Sequence, residues 1–503
     1  MEEKILFWID EGLIDFCVAK SIETQKDYEK FAIIEIGNGR EFFENQEFVS
    51  FKKTWYFRDC FTNLNFKPNL EYLKNFEKKY DINLWQIIFS DITFNQYNKY
   101  YKFSKLEILK ILELECKYFE KIIDEINPEY LVMRFTDRSH TQILQKICKS
   151  KKINVLTLGF TRLGIRANIS QEYDTLDLNQ KQFDKNESLS KKQINKIESF
   201  EDVKKYVSQY SIKQKEFKKK FQNSKINWFI AGLKYLKLTL NSNHIKYYMF
   251  YGHSIWNTVF NEISFVINAK KRFSFIEKNL IKKIPQNWKF VYFPLQLDPE
   301  RTILIPAPFF SIQKDVIINI AKSLPVNYKL IVKEHPLQRV RGWRPISFYK
   351  EIKNLPNVEF VHPHIENEEM IKKCSIVATI TGTSGLEAAI NKKPSIVFAD
   401  TIYSELPSVF KITTIEQLPQ IIQTALKTDV SMDDVKKFIF KIESNSFEHD
   451  QSGLNLLMYK KFFYDGYLFN TKILNSDMNE FLEENHLQFE ELAKKFIEKM
   501  DRG

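Results

Sequence analysis

The chain has 503 residues, and its 75 Lys and Arg residues exceed its 64 Asp and Glu residues, which gives a net charge of +11. It contains 44 Phe, 23 Tyr and 7 Trp but only 13 Gly and 15 Pro, a composition that excludes collagen-like, low-complexity and broadly disordered chains. At roughly 150 residues per domain, this length predicts about three domains, or two large ones. The mild positive charge indicates either a diffuse basic surface or an anionic partner.

The cysteines and the N-terminus predict a protein of a reducing compartment. The five cysteines are scattered and form no CxxC pair, which argues against a disulfide framework and against a zinc site. Residues 1–10 show no signal-peptide pattern, and the most apolar stretch, Ile226 to Leu240, is interrupted by Lys234 and Lys237. We therefore expect a cytoplasmic protein with no membrane span, metal or cofactor.

The first 170 residues alternate between strand-like and helix-like patterns. Helical spacing is clearest from Leu106 to Asn127. Buried-strand patterns occur at Ile5–Ile9, Phe31–Ile36, Thr54–Phe57, Tyr130–Met133 and Ile153–Leu158. Strands that alternate with helices of about ten or more residues indicate parallel βαβ units. Residues 1–170 are therefore predicted to form an N-terminal Rossmann-like domain.

Residues 171–285 differ from what precedes them, because they are rich in Lys, Gln and Asn and show helical patterns without clear strands. A basic run, Lys213 to Lys225, is followed by an aromatic-rich stretch, Trp228 to Phe260. One interpretation is a set of surface helices packed by aromatic side chains. The other is a cationic face that lies on anionic lipid headgroups.

The strand–helix alternation resumes at about Lys289 and continues to about residue 430. Strand patterns occur at Phe290–Phe293, Lys329–Val332, Val358–Val361, Ser375–Ile380 and Ser395–Phe398. Residues 286–430 are therefore predicted to form a second doubly wound domain. Residues 431–503 read as charged C-terminal helices with Phe anchors.

Polar clusters follow three strands of this second sheet, where open parallel sheets bind their ligands. The first cluster contains Gln296 and Glu300, the second contains Lys333, His335 and Pro336, and the third is the turn Thr381-Gly382-Thr383-Ser384-Gly385 with Glu387. A turn of this kind at a helix N-terminus attracts phosphate through hydroxyls and free N–H groups. It contains no GK[ST] sequence, so it is not a Walker A loop.

Each cluster also has a structural interpretation. The turn could be an ordinary helix cap with a glycine for close packing, and Glu387 could complete a capping box with Ser384 rather than accept ribose hydroxyls. His335 could donate to a phosphate or be a simple turn histidine, since His362-Pro363 also follows a strand.

Five segments within residues 291–410 resemble, in order and spacing, the capsule polysaccharide synthesis family, which includes β-Kdo transferases. They are FPLQLDPERT, LPVNYKLIVKEHP, FYKEIKNLPNVEFVHP, TITGTSGLEAAINKKPSIVF and YSELPSV. The resemblance implies an α/β, GT-B-like protein: two Rossmann-like doubly wound domains that face a cleft, with a helical insertion and a helical C-terminal tail. It further implies that the C-terminal domain binds a nucleotide sugar, commonly a CMP-sugar. It places His335, Pro336, Thr383, Ser384 and Gly385 at the nucleotide and its phosphate, Gln296 and Glu300 in the cleft, and Glu387 near the ribose.

The N-terminal half offers carboxylates and arginines at strand ends. Asp10 and Glu11 follow the first strand and Asp137 follows the fourth, where each could act as a general base, or as a nucleophile in a retaining enzyme, or simply cap a helix. Four arginines could bind an acidic acceptor or form ordinary surface pairs: Arg134, Arg138, Arg162 and Arg166.

The resemblance implies a metal-independent glycosyltransferase of capsule or surface polysaccharide biosynthesis. It would transfer a sugar, Kdo-like if the donor is a CMP-sugar, to a glycan or lipid-linked acceptor. Lys333, His335 and the 381–385 turn would stabilise the nucleotide leaving group. The expected surroundings are the cytoplasmic face of the inner membrane and the polysaccharide export machinery, with no nucleic acid partner. Two alternatives remain: a CDP-polyol phosphotransferase of the teichoic-acid type, and a non-catalytic glycan- or nucleotide-binding component of polysaccharide export.

Overall fold

A computed structural model describes residues 2–62, 65–94, 99–173, 175–176, 198–208, 225–239 and 247–501. The chain divides into two compact units. Unit 1 comprises Met1–Leu178, Gln209–Asn257 and Asn445–Gly503, and unit 2 comprises Asn179–Ser208 and Thr258–Ser444. These boundaries differ from those of the four predicted regions, which are 1–170, 171–285, 286–430 and 431–503. The assignment of those regions as functional domains stays a prediction. The predicted basic run, 213–224, lies outside the described residues.

Unit 1 is built on a seven-stranded sheet with the order β13-β6-β5-β4-β1-β2-β3. Strands β1 to β5 are parallel, whereas β6 and β13 are antiparallel to their neighbours. The strands are β1 (Lys4–Ile9), β2 (Glu29–Ile34), β3 (Lys53–Tyr56), β4 (Tyr130–Met133), β5 (Asn154–Phe160), β6 (Arg166–Ser170) and β13 (Phe447–Glu448). Because the chain runs outward from β1 to β3 and then returns to place β4 beside β1, the order reverses between β1 and β4.

Both faces of the unit 1 sheet are buried, which explains the continuous apolar runs in its strands. Alternate side chains of β1 enter different cores: Ile5, Phe7 and Ile9 enter one, and Leu6 and Trp8 enter the other. The helices are α1 (Ile14–Glu23), α2 (Arg40–Asn45), α3 (Leu70–Tyr80), α4 (Leu84–Ser90), α5 (Lys105–Ile126), α6 (Ser139–Ser150) and α7 (Lys225–Thr239), and, near the C-terminus, α16 (Gln451–Phe462), α17 (Asn475–Glu484) and α18 (His486–Met500).

Unit 2 contains a six-stranded, wholly parallel sheet with the order β12-β11-β10-β7-β8-β9. Its strands are β7 (Phe290–Pro294), β8 (Lys329–Lys333), β9 (Val358–Val361), β10 (Ile376–Thr379), β11 (Ser395–Val397) and β12 (Val409–Lys411). Its helices are α9 (Arg301–Leu304), α10 (Gln313–Ser323), α11 (Ile346–Lys353), α12 (Asn367–Lys373), α13 (Ser384–Ile390), α14 (Leu418–Ala425) and α15 (Met432–Ser444). A long helix, α8 (Ile255–Asn279), precedes the sheet. The strand order reverses between β7 and β10.

The predicted α/β class with two Rossmann-like doubly wound sheets and a helical C-terminal region is confirmed. All ten predicted strands occur, each within two residues of its predicted bounds. The sequence missed β6, β12 and β13, which lie at or next to sheet edges. In the described part of the chain, no helix is both long and apolar enough to span a bilayer.

The C-terminal helix α18 supplies part of the unit 1 core, which leads to a stability prediction. Phe496 is 1% exposed and packs in the same core as α1, whereas Leu487 on the same helix is 69% exposed. We expect Phe496→Ala to lower the free energy of unfolding by about 3–5 kcal/mol, because it leaves a cavity. Leu487→Ala should change it by less than about 0.5 kcal/mol. Urea denaturation followed by circular dichroism checks both; equal effects would contradict this packing.

Candidate functional site

In unit 2, the loop after β7 is held by two buried glutamine side chains. Gln313 accepts a hydrogen bond from the Gln296 N–H at 2.8 Å and donates one to the Gln296 carbonyl at 3.1 Å. Gln338 does the same for Asp298, at 3.1 Å and 3.0 Å. Each amide therefore satisfies both backbone groups of one loop residue, as a neighbouring strand would do. The loop is fixed where the resemblance predicted a cleft.

A buried ion pair links this loop to the end of β8. Arg344 donates from Nε to Glu334 at 3.0 Å, from Nη1 to the Asp298 carboxylate at 2.8 Å, and from Nη2 to the Gln296 carbonyl at 2.6 Å. The side chains of Arg344 and Glu334 are 4% and 0% exposed. Burial opposes the positive charge, but Glu334 and Asp298 outweigh it and raise the pKa of Arg344. No motif in the sequence pointed to Arg344, which lies 10 residues after Glu334 and 46 residues after Asp298.

Glu334 also orients the residues that follow β8. It accepts hydrogen bonds from the Tyr349 hydroxyl and from the His335 N–H, both at 2.8 Å. His335 Nδ1 in turn accepts from the Leu337 N–H at 3.2 Å, so the neutral ring carries its proton on Nε2. Burial lowers the pKa of His335, although Glu300 opposes that effect. His335 is therefore a neutral hydrogen-bond donor at physiological pH.

Lys333 ends β8 as a buried cation without a partner. It is 5% exposed, and its ammonium makes no hydrogen bond or ion pair with any residue that the structure describes. Burial lowers its pKa, while the nearby carboxylates of Glu366 and Glu387 act in the opposite direction. A buried ammonium with unused donors is costly, and a bound anion would compensate it.

The turn after β10 is tied to the loop after β7. Gln296 donates to the Thr381 hydroxyl at 2.9 Å and accepts from the Thr381 N–H at 2.9 Å. The Thr381 hydroxyl donates in turn to the Thr302 carbonyl. These contacts use the polar groups of Gln296 and Thr381 to hold two strand ends together at the reversal of the strand order. Both residues therefore position the site.

The two glycines of this turn have packing explanations. A Cβ on Gly385 would lie 2.6 Å from the Tyr403 ring, and a Cβ on Gly382 would lie 2.6 Å from the Thr379 hydroxyl. The Tyr403 hydroxyl also donates to the Gly382 carbonyl. The close-packing interpretation of Gly385 thus accounts for its presence.

The side chains of the turn form hydrogen bonds within the site, whereas two of its backbone N–H groups do not. Glu387 accepts from the Thr383 hydroxyl at 3.2 Å and from the Asn367 amide, so no capping box with Ser384 forms. Ser384 lies 3.5 Å from the same Asn367 amide. The backbone N–H groups of Thr383 and Ser384 have no partner among the described residues. These two N–H groups are what the turn can offer an anion.

The other predicted residues of unit 2 lie at the same sheet edge. The Glu300 carboxylate accepts from the Thr302 hydroxyl at 3.0 Å, and Pro336 begins a short 3₁₀ turn, Pro336–Arg341.

In unit 1, the predicted carboxylates meet at the reversal of the strand order. Asp10 and Glu11 follow β1, and Asp137 follows β4, the neighbouring strand. Asp10 accepts from the Gly12 N–H at 2.6 Å and lies 3.9 Å from Arg134 Nη1. Burial raises the pKa of Asp10, and Arg134 reduces this effect.

Glu11 and Asp137 are less constrained than Asp10. Glu11 has no hydrogen-bond partner within the described ranges, and burial, followed by Glu35 and Asp10, raises its pKa to about 7. Asp137 lies 4.0 Å from Arg138 Nε, and its side chain is 42% exposed. Burial raises the pKa of Asp137, with Arg138 opposing. Glu11 therefore titrates near neutral pH, and Asp137 is the more accessible group.

Glu35, His140 and Glu115 form a buried cluster of titratable side chains that the sequence patterns did not reveal. His140 is 0% exposed; its Nε2 lies 3.2 Å from Glu35 and its Nδ1 lies 3.9 Å from Glu115. Burial opposes the imidazolium, but the carboxylates outweigh it and raise the pKa of His140 to about 9. Burial also works against ionised Glu35, yet His140 lowers its pKa. Glu35 directly follows β2. Because the predicted strand ended at Ile36 instead of Ile34, Glu35 was not among the polar residues that follow a predicted strand.

The four predicted arginines have different surroundings. Arg134 lies near Asp10, and Arg138 donates to the Thr93 hydroxyl at 2.6 Å. Arg166 donates to the Ser446 hydroxyl at 2.8 Å and to the Ser446 carbonyl at 2.7 Å, and so joins β6 to β13. Arg162 sits between β5 and β6 with a φ of 65°. Structural pairing accounts for Arg166, and acceptor binding by the others stays a prediction.

The residues described here contain no group of three or more His, Cys, Asp or Glu side chains arranged to hold a metal ion.

Comparisons with known proteins identify the family of the central part of the chain. Residues 192–407 match the family model described as "Capsule polysaccharide biosynthesis protein". This match overlaps the segments that carry the resemblance and confirms that resemblance for the matched part of the chain. A search of curated proteins finds no match.

Solved structures align over much of the chain at low similarity. A Thermosulfurimonas dismutans KpsC β-Kdo 2,7-transferase is 11% identical, covers 69% of this chain and 90% of its own, and has a TM-score of 0.30. A Methanocaldococcus jannaschii UDP-GlcNAc 2-epimerase is 12% identical, with coverages of 90% and 98% and a TM-score of 0.24. A Neisseria meningitidis UDP-GlcNAc 2-epimerase is 12% identical, and the alignment covers 90% of this chain and 98% of the epimerase with a TM-score of 0.22. TM-scores this low do not establish a common arrangement.

The Arg344–Glu334 pair gives a prediction about unit 2. We expect Arg344→Met to lower the free energy of unfolding by about 3–5 kcal/mol, because Glu334 would stay buried without its cation. The double variant Arg344→Met/Glu334→Leu should recover much of this loss, since the fully buried carboxylate is then removed and Asp298, whose side chain is 27% exposed, can be solvated. Thermal and urea unfolding measure both. Arg339→Met, at an exposed site on the adjacent 3₁₀ turn, is the control and should have little effect.

Proposed function

We propose that the protein is a glycosyltransferase of capsule or surface polysaccharide biosynthesis that transfers a sugar from a nucleotide donor to a glycan or lipid-linked acceptor. The observation that carries the proposal is Lys333, a residue that is 5% exposed overall and whose ammonium has no partner among the described residues, within the part of the chain that matches the capsule polysaccharide biosynthesis model. A buried cation of this kind is poorly suited to stabilise the fold and well suited to bind an anion.

The donor phosphate is proposed to bind at the ends of β8 and β10. Lys333 supplies the charge, the N–H groups of Thr383 and Ser384 supply two fixed donors, and His335 supplies a neutral Nε2–H. As the bond between sugar and phosphate breaks, negative charge grows on the phosphate oxygens. Preorganised donors stabilise that charge more than the ground state, so they lower the barrier.

The reacting hydroxyl is proposed to be served by carboxylates of unit 1. Glu11, with a pKa of about 7, is suited to exchange a proton near neutral pH. Ionised Glu35, held by His140, keeps the pKa of Glu11 high. Asp137 is the accessible carboxylate that would serve as nucleophile if the reaction retains configuration.

The donor is proposed to be a CMP-sugar, of the Kdo type, at the cytoplasmic face of the membrane and near the export machinery. No metal is assigned a role, because Lys333, His335 and the turn supply the stabilisation. The same anion site would accept a CDP-polyol, so the nucleotide test below also separates a polyol-phosphate transferase from a glycosyltransferase.

Lys333→Met tests the donor site. Wild-type protein should show a thermal shift with CMP, and Lys333→Met should weaken nucleotide binding at least tenfold, since a charged hydrogen bond to phosphate contributes roughly 1.5–3 kcal/mol. The unliganded variant should melt at the same or a higher temperature than wild type, because it no longer buries an unpaired charge.

The matched control is Lys329→Met, at the other end of the same strand, where the ammonium already pairs with Glu359 at 2.8 Å. This variant should keep the nucleotide shift. Screening CMP, CDP, UDP and GDP in parallel defines the donor. A preference for UDP or GDP would overturn the CMP-sugar assignment, turnover of CDP-glycerol without turnover of a CMP-sugar would favour the polyol-phosphate transferase, and an unchanged shift in Lys333→Met would remove the proposed site.

Glu11→Gln tests the acid–base assignment. A general base must be ionised, so activity should rise with pH through about 7, the pKa of Glu11, and level off above it. The variant should lose about 10²–10⁴-fold in kcat and lose this rise, while nucleotide binding stays unchanged. Release of CMP from CMP-Kdo with an oligosaccharide acceptor measures the rate. Glu41→Gln, at an exposed surface ion pair, is the control; a full pH-dependent rise retained in Glu11→Gln would refute the role.

A further inference from the structure

Helix α8 of unit 2 carries a continuous apolar face that is exposed to solvent. Five side chains form this apolar stripe and are 44%, 71%, 56%, 49% and 48% exposed: Val259, Phe260, Ile263, Val266 and Ile267. At 100° per residue they fall on one side of the helix, over a length of roughly 12 Å. Glu262, on the flank of the stripe, is the one charged residue from 255 to 267. Contiguous exposed apolar surface of this kind marks an interaction site.

The C-terminal half of α8 is anchored to the rest of unit 2. Arg272 donates to the carbonyls of Gly342 at 3.1 Å and Trp343 at 2.9 Å. Phe273 stacks on Trp343 with ring centroids 6.0 Å apart, and Ile276 is 0% exposed. Since these contacts fix the helix, the stripe is held outward by the fold.

Cationic side chains follow the stripe at its C-terminal end. Lys270 and Lys271 are both exposed, and neither has an ion-pair partner in the residues that the structure covers. One to two turns beyond Ile267, the helix thus changes from apolar to positively charged. Apolar side chains next to unpaired lysines are the combination that anionic lipid surfaces bind. A second copy packed in parallel on the same stripe would bring like charges together instead.

We propose that α8 docks on an anionic lipid surface, with the apolar stripe in the headgroup region and Lys270 and Lys271 at lipid phosphates. The proposal is independent of the proposed catalytic function, since no residue of α8 belongs to the groups of side chains at the carboxyl ends of the strands in either unit. It assigns the lipid-binding interpretation of residues 171–285 to a defined helix face. An acceptor carried on lipid would be reached from this surface.

Vesicle co-sedimentation of the full chain tests the proposal. Wild-type protein should bind vesicles of equal parts phosphatidylglycerol and phosphatidylcholine more tightly than pure phosphatidylcholine vesicles. Phe260→Ser/Ile263→Ser should lower the affinity for the mixed vesicles at least tenfold, because two apolar side chains lose their burial. Lys270→Ser/Lys271→Ser should lower it by roughly fivefold per lysine and leave binding to pure phosphatidylcholine unchanged.

Phe309→Ser is the matched control, because Phe309 is an isolated unit 2 side chain that is 86% exposed, and its variant should bind like wild type. A parallel variant, Phe229→Ser/Leu233→Ser, tests the exposed apolar residues of α7. Circular dichroism and the nucleotide thermal shift should be unchanged in every variant.

The proposal fails if wild-type protein does not bind the mixed vesicles, or if the α8 variants bind as tightly as wild type. It also fails if only the α7 variant loses binding. A concentration-dependent dimer that Phe260→Ser/Ile263→Ser abolishes, without any change in vesicle binding, would identify a second copy as the occupant instead.

Discussion

The strand ends of unit 2 depend on the buried ion pair of Arg344 and Glu334. One guanidinium reaches Glu334 at the end of β8 and both Asp298 and the Gln296 carbonyl after β7, while Gln296 in turn holds Thr381 after β10. One planar guanidinium therefore fixes the positions of three loops relative to one another. Apolar residues of the same volume would pack at least as stably, but they would not fix loop directions through hydrogen bonds.

The sequence predicted the sheets well because their strands are buried on both faces, which produces unmistakable apolar runs such as Ile5–Ile9 and Lys329–Val332. Short strands at sheet edges, such as β12, lack that pattern. The choice of polar residues that directly follow predicted strands singled out Lys333, His335 and the carboxylates of unit 1. It could not find Arg344 or His140, whose partners lie on separate elements. For Gly385 the sequence left phosphate binding and close packing open, and the nearby Tyr403 ring accounts for the close packing.

The two sheets end in opposite electrostatic environments. At the edge of the unit 2 sheet lie an ammonium and two N–H groups that have no partner in the part of the chain that the structure describes. At the edge of the unit 1 sheet, carboxylates are crowded together, and His140 is held charged between two of them. Both arrangements cost stability, as buried unpaired or like charges do. The large aromatic cores around Trp8 and Tyr349 offset such costs.

The return of the C-terminal helices to unit 1 has a consequence for synthesis on the ribosome. Phe489 and Phe496 complete a core whose other side is formed by α1, near the start of the chain. The described part of unit 2 is therefore translated before unit 1 can close, and the apolar side of α1 stays uncovered until α18 has emerged. A truncated nascent chain would expose that surface, whereas unit 2 would already hold its complete sheet.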